Sequence, residues 1–344
     1  MSTVHACRIK RTNFNLLLKI FVSFVLTFTS VSLPSVVICN DSASKDEKVT
    51  VSVLLKTDKP VNNFNSVVIP LKRAGRLFLI EAEIDGQNGN LVFDTGASGL
   101  VLNRTYFRNY LGITKVSGGG ISGTVGEISN VTAGSINVSG LYYDNVQADM
   151  ADLGHIEDRR GVKILGLFGL SMLNDMEVAF NAADNELRFT KIDKNGNYLS
   201  PDITATKYDN ISEMVVSHNI MIIKGNIGDK VLSFCLDTGA EINVVHYDLP
   251  KKILSTIDIR RQSGMGGSGN GTVKALYGVM NDFRFANHQF AKMDAAIINL
   301  TSMSEAYGFN IDGMLGYDFW QQGEFCFNSR KHQISFNIKK GGTK

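Results

Sequence analysis

Two aspartates, Asp94 and Asp237, occupy the same local setting 143 residues apart. Residues 91–102 read LVFDTGASGLVL and residues 234–245 read FCLDTGAEINVV. In both, an apolar run leads into Asp-Thr-Gly-Ala and a second apolar run leads out. Two carboxylates brought face to face can activate water, one ionised as a general base and the other protonated as a general acid. Like charges at short range resist ionising together, so such a pair holds one proton and titrates as a unit. That chemistry requires neither a metal nor a covalent intermediate.

The carboxylates can meet only if the elements around them are also duplicated, and they are. Ile84-Asp85-Gly86 matches Ile227-Gly228-Asp229 ten residues upstream, each a turn between strands. Glycine-rich stretches follow at 116–128 and 262–276. GLFGLSML at 166–173 then matches GMLGYDFW at 313–320. Phe180 and Phe327 each lie eleven residues past Gly169 and Gly316, and Phe189 and Phe336 each lie twenty past. The Asp-to-Gly distances are 75 and 79 residues. A lone Asp-Thr-Gly is often only a turn. Two in register, each followed by an apolar-apolar-Gly element, indicate a duplicated lobe. Glycine there lets that strand pass close to the Asp-bearing loop.

Over about residues 70–340 these features resemble the aspartic peptidase superfamily, in a two-lobed, pepsin-like arrangement assembled from retropepsin-like units. The resemblance implies an all-β fold: two homologous acid-protease-type β-barrel lobes related by a pseudo-two-fold axis, with few short helices. It implies that Asp94 and Asp237 are catalytic, that Thr95 and Thr238 cross-brace the two loops, and that Gly96 and Gly239 leave room for backbone N–H groups to reach the carboxylates. Ser98 follows the first motif, as in pepsin-like first lobes, whereas the second motif is followed by Glu241. Each glycine-rich stretch becomes a hairpin flap over the cleft, with Gly119, Gly120, Ile121, Gly266 and Gly267 near the substrate; the bland alternative is a mobile surface loop. The implied reaction is peptide-bond hydrolysis on a peptide or protein substrate, with no cofactor and no metal. Two other readings compete. One is a non-catalytic peptide-binding protein on the same fold, which would have no chemical need for both carboxylates. The other is a β-rich surface protein whose motifs are turns, which leaves the matched glycine elements unexplained.

Other chemistries find little support. The six histidines are scattered without H-E-x-x-H, and no G-x-S-x-G or C-x-x-C occurs. Gly264, Gly266 and Gly269 satisfy G-x-G-x-x-G but lead into a strand-like TVKALY rather than a helix, which argues against a dinucleotide site. Basic residues are dispersed, which argues against nucleic acid.

The N-terminus reads as an address. Arg8, Lys10, Arg11 and Lys19 precede an apolar run from Ile20 to Ile38, and no acidic residue occurs before Asp41. Residues 1–39 are a signal peptide or N-terminal anchor, and 40–65 a leader segment. The N-terminal lobe spans 66–190, a polar linker 191–207 and the C-terminal lobe 208–340. Without residues 1–39 the net charge changes from +2 to −2. The expected protein is exported (periplasmic, envelope-associated or secreted), monomeric, and touches membrane only through that segment. Helices are expected at TYFRNYLG (105–112) and around 246–255. Cys235 and Cys326 read as small apolar core positions, with a disulfide as the alternative.

Overall fold

The strands that carry the two motifs are near-continuous apolar runs because both of their faces are buried. In the first half, Leu91 and Phe93 enter one core cluster while Val92 enters another; Leu100 and Leu102 divide from Val101 in the same way. In the second half, Phe234 and Leu236 part from Cys235 likewise. The computed structural model describes residues 58–339 except 113, 121–122 and 267–271. The expected signal or anchor (1–39) and the leader up to residue 57 lie outside the described residues.

The fold is all-β, with two equivalent lobes and five short helices among the described residues. In the first lobe the strands lie in the order Lys72–Ala74, Leu77–Ile84, Gln87–Phe93, Ile164–Phe168, Leu100–Asn103, Leu141–Ala151, Gly123–Val138, Thr114–Gly120. The second lobe repeats that order with Val215–Ser217, Ile220–Ile227, Lys230–Leu236, Gly313–Leu315, Asn243–His246, Met293–Ile298, Thr272–Met280, Ile257–Gly266. A six-stranded sheet joins the lobes, three strands from each. At its centre Ala179 pairs with Cys326, each ten residues past its lobe's glycine. Glu177 pairs with Asn328 and Asn181 with Glu324, so the register reads the same from either lobe. Such self-complementary pairing is the signature of a two-fold axis.

That register also settles the cysteines. Cys235 lies in the second lobe's own sheet, between Ile222 and Met314, whereas Cys326 lies in the joining sheet. Both are free and buried, and burial pushes both thiols up. They are the small buried core positions expected, and the disulfide alternative is wrong because their strands belong to different sheets.

Helices occur at Arg104–Phe107, overlapping the start of the first expected region, and at Lys251–Leu254, within the second. Gly154–Asp158, Thr301–Tyr307 and Tyr317–Trp320 are helices the sequence did not announce. At four to seven residues they are too short to show a 3.6-residue apolar period.

The glycine of each apolar-apolar-Gly element is required by close approach. Strand Ile164–Phe168 lies between the two arms of the Asp94 loop, parallel to Leu91–Phe93 and antiparallel to Val101–Leu102. A Cβ on Gly166 would lie 1.9 Å from the Val101 carbonyl oxygen, and one on Gly169 would lie 2.2 Å from that of Gly99. Backbone is what it would strike, so no rotamer change relieves it. Gly166→Ala is expected to cost more than about 4 kcal/mol. Little soluble protein should form, with a melting midpoint far below wild type. A midpoint within a few degrees of wild type would show that the strand tolerates displacement.

Candidate active site

Each aspartate sits where a strand ends and the chain turns back. Asp94 N–H donates to the Phe168 carbonyl (3.1 Å), and Asp237 N–H to that of Leu315 (3.0 Å). Each Oδ1 then accepts from the backbone of its own loop: Asp94 from Gly96 (3.0 Å) and Ala97 (3.1 Å), Asp237 from Gly239 (2.8 Å) and Ala240 (3.0 Å). This is the room for backbone N–H groups that the glycines imply. Asp94 is 0% and Asp237 1% exposed, so these are buried carboxyls rather than surface turns.

The two loops abut. A methyl group on Gly96 would lie 2.7 Å from Asp237 Cγ and 2.9 Å from each of its oxygens. Four hydrogen bonds lace the loops together. Thr238 Oγ1 donates to the Phe93 carbonyl (2.7 Å) and accepts from Thr95 N–H (2.9 Å). Thr95 Oγ1 donates to the Leu236 carbonyl (3.0 Å) and accepts from Thr238 N–H (3.1 Å). Thr95, Gly96, Thr238 and Gly239 thus surround the two carboxyls.

Burial, followed by the charge of Asp237, holds the Asp94 carboxyl well above the ordinary carboxylate range; the Ala97 and Gly96 amides pull the other way. Burial raises Asp237 too, against its own loop amides. Asp94 Oδ2 is buried with no hydrogen-bond partner among the described residues. A buried pair with raised affinity for protons and one unsatisfied oxygen can hold a proton and exchange it with whatever binds there.

The glycine-rich stretches are hairpins beside this centre. Gly119 and Gly120 end the strand Thr114–Gly120, facing Thr124 and Gly123 across the turn, and Gly266 ends Ile257–Gly266 opposite Thr272. Ile121 and Gly267 lie outside the described residues. Met265 is buried in the same cluster as Ala240, so the second hairpin packs toward the Asp237 loop; Ile128 shares a cluster with Ala97 in the first lobe. Ser98 is buried, and its carbonyl accepts from Ser171 N–H (3.0 Å). Asp58, from the end of the expected leader, accepts from Ser171 Oγ (2.8 Å), stapling that segment beside the first loop.

Sequence reasoning missed a charged cluster at one end of the cleft. Glu241 forms an ion pair with Arg160 of the first lobe. Arg76, also from the first lobe, donates to Asp294 Oδ2 (2.8 Å) and to the Glu241 carbonyl (3.2 Å). At the matching offsets of the other half stand Ser98 for Glu241, Tyr307 for Arg160 and Asn219 for Arg76. The only trace in the sequence is that the first half carries arginines, and the second half a glutamate, where the other half has uncharged residues; nothing in the spacing pairs them.

Asp149 is a second carboxyl of interest. It pairs in register with Val101, where the second lobe sets Ala296 beside Val244. Burial pushes it up to about 6, with an amide hydrogen bond from Asn130 (3.3 Å) opposing. A carboxyl raised on folding lends stability that is complete below the unfolded value near 4 and is lost as pH rises through about 6. Asp149→Asn does not titrate. Its melting midpoint should exceed wild type by a few degrees at pH 7.5 and match it near pH 3.5. Equal midpoints at both pH values would show that Asp149 is solvated.

A protein-family model described as aspartyl protease matches residues 80–172 and 223–319, one match on each Asp-Thr-Gly lobe. No curated protein matches the chain.

Proposed function

The chain belongs to the aspartyl protease family, and from that premise we propose that it is an endopeptidase hydrolysing peptide bonds through water activated by Asp94 and Asp237. The observation that carries this reading is the meeting of two buried carboxyls from equivalent loops, close enough that a methyl group on Gly96 would strike the Asp237 carboxyl. Such a pair shares one proton. The ionised member takes a proton from the attacking water, and the protonated member hydrogen-bonds the scissile carbonyl and then assists collapse of the tetrahedral species. Loop amides on each Oδ1 fix the carboxyl planes, so their geometry needs no reorganisation during reaction. The hairpins exclude water when substrate binds.

One chain supplies both carboxyls, which supports action as a monomer. The basic and then apolar N-terminus supports export. Among the described residues no helix is long and apolar enough to cross a membrane. The test is cleavage of a peptide library by the purified protein from acid to neutral pH, with Asp94→Asn and Asp237→Asn alongside. Cutting by wild type alone supports the proposal. Equal cutting by all three would assign the activity elsewhere, and no cutting would favour a binding role for the cleft.

A further inference from the structure

A pocket of about 320 Å³ opens between the lobes beside the second motif. Arg76 and Arg159 line it from the first lobe; Glu241, Ile242, Met265 and Tyr277 line it from the second. Glu241 and Ile242 directly follow Asp237-Thr238-Gly239-Ala240, and Met265 and Tyr277 belong to the two strands of the second hairpin. The pocket thus lies between the first lobe and the loop and hairpin that flank Asp237.

Glu241, the acidic residue of the lining, is already engaged, and so are the carboxylates beside Arg76. Arg160 takes the Glu241 carboxylate, and Arg76 takes Asp294 and lies 3.6 Å from Asp318. Arg159 has no acidic partner among the described residues. Burial first, and the charge of Arg159 next, lower both Arg160 and His155. Arg261 adds a further positive charge beside the pocket wall, its guanidinium 4.3 Å from the centre of the Tyr277 ring. Ile242, Met265 and Tyr277 supply apolar wall between these charges. An exposed cation at the mouth of a partly apolar pocket fits a carboxylate carried on a short aliphatic stem.

We propose that this pocket is a specificity subsite for an acidic side chain, Asp or Glu, at one fixed position near the scissile bond, with Arg159 as its charge-reading residue. The matching end of the cleft carries Ser98, Asn219 and Tyr307 in place of Glu241, Arg76 and Arg160, so the preference is one-sided. The inference rests on the endopeptidase reading for its cleavage readout, but not for its binding readout.

Two measurements test it. In library cleavage, wild type should enrich Asp and Glu at one position. For a matched pair of peptides, acidic against uncharged at that position, Arg159→Glu should lower the ratio of kcat/KM by about tenfold or more. Lys194→Glu, an equal charge change on the exposed linker, should leave the ratio alone. Cleavage without acidic enrichment, or a ratio that Arg159→Glu does not move, overturns the subsite and leaves the peptidase reading standing. The second measurement is titration of the same peptides into Asp94→Asn protein with and without Arg159→Glu. It reads the pocket even where nothing is cut. Tighter binding of the acidic peptide, lost with Arg159→Glu, supports the subsite; equal binding of both peptides overturns it.

Discussion

Asp94→Asn and Asp237→Asn should each lower kcat by about a thousandfold or more and at the same time raise thermal stability at neutral pH. The loss follows from roles that need both carboxyls: one must be ionised to take the proton of water while the other donates, a contribution of about 10²–10⁴-fold for acid–base catalysis. Because the pair works as one unit, the double variant should be little worse than either single one. The gain in stability comes from the same burial. Both carboxyls are raised above their ordinary range, by burial first and, at Asp94, by the charge of Asp237 next. Folding at neutral pH thus holds protons that the unfolded chain would release. The stability this lends is complete below about pH 4, where the unfolded carboxyls are themselves protonated, and is lost as pH rises through the raised folded values. Asparagine does not titrate, so each variant should melt above wild type at pH 7, with the gap closing below about pH 4. Thermal melts across pH and single-turnover cleavage read the two effects separately. Lost activity with lowered stability at every pH would indicate damaged loops rather than a missing carboxyl.

The carboxyl pair was legible because the chain contains its own comparison. Asp94 and Asp237, the turns at 85–86 and 228–229, and the glycines at 169 and 316 keep near-constant offsets. The structure turns those offsets into equal strand orders and a symmetric central register. The glycine argument was legible for the same reason, since a glycine kept in both halves within apolar strands implies backbone against backbone. What was hidden lacks a fixed offset. Arg76 and Arg160 find Glu241 and Asp294 across the lobe boundary, and nothing in chain spacing ties a residue in one lobe to a residue in the other. The cysteines were legible as small buried core positions because their counterparts in the other half are Val92 and Ala179. The last residues of the expected leader, 58–65, read as polar and unremarkable, yet Val61 N–H donates to the Tyr142 carbonyl (2.7 Å) and Asn62 reaches that of Gly140 (2.9 Å). Backbone contacts of this kind leave little trace in side-chain pattern.

Thr238→Val should unfold the protein more readily and slow whatever molecules remain folded. Valine matches threonine in shape, so packing is kept and only the hydroxyl is lost. That hydroxyl serves the Phe93 carbonyl and the Thr95 N–H, both from the opposite lobe. Thr95 and Thr238 are each 0% exposed, so water does not replace it while the loops stay closed. Two orphaned buried groups at about 1–3 kcal/mol each put the loss near 2–6 kcal/mol. Thr95→Val should cost a similar amount, since its hydroxyl serves the Leu236 carbonyl and the Thr238 N–H. The double variant distinguishes two pictures. If the loops stay closed, all four backbone groups are orphaned and the losses add. If the loops part and admit water, the second loss is smaller than the first. Either way the carboxyls lose the brace that sets their separation, and a displacement of about 1 Å at a reacting group is enough for a hundredfold fall in rate. Thr→Ser keeps the hydroxyl and should restore most of both properties. Thr238→Val protein with wild-type melting and wild-type kcat would sink the argument, because the lobes would then be held in register by the joining sheet alone.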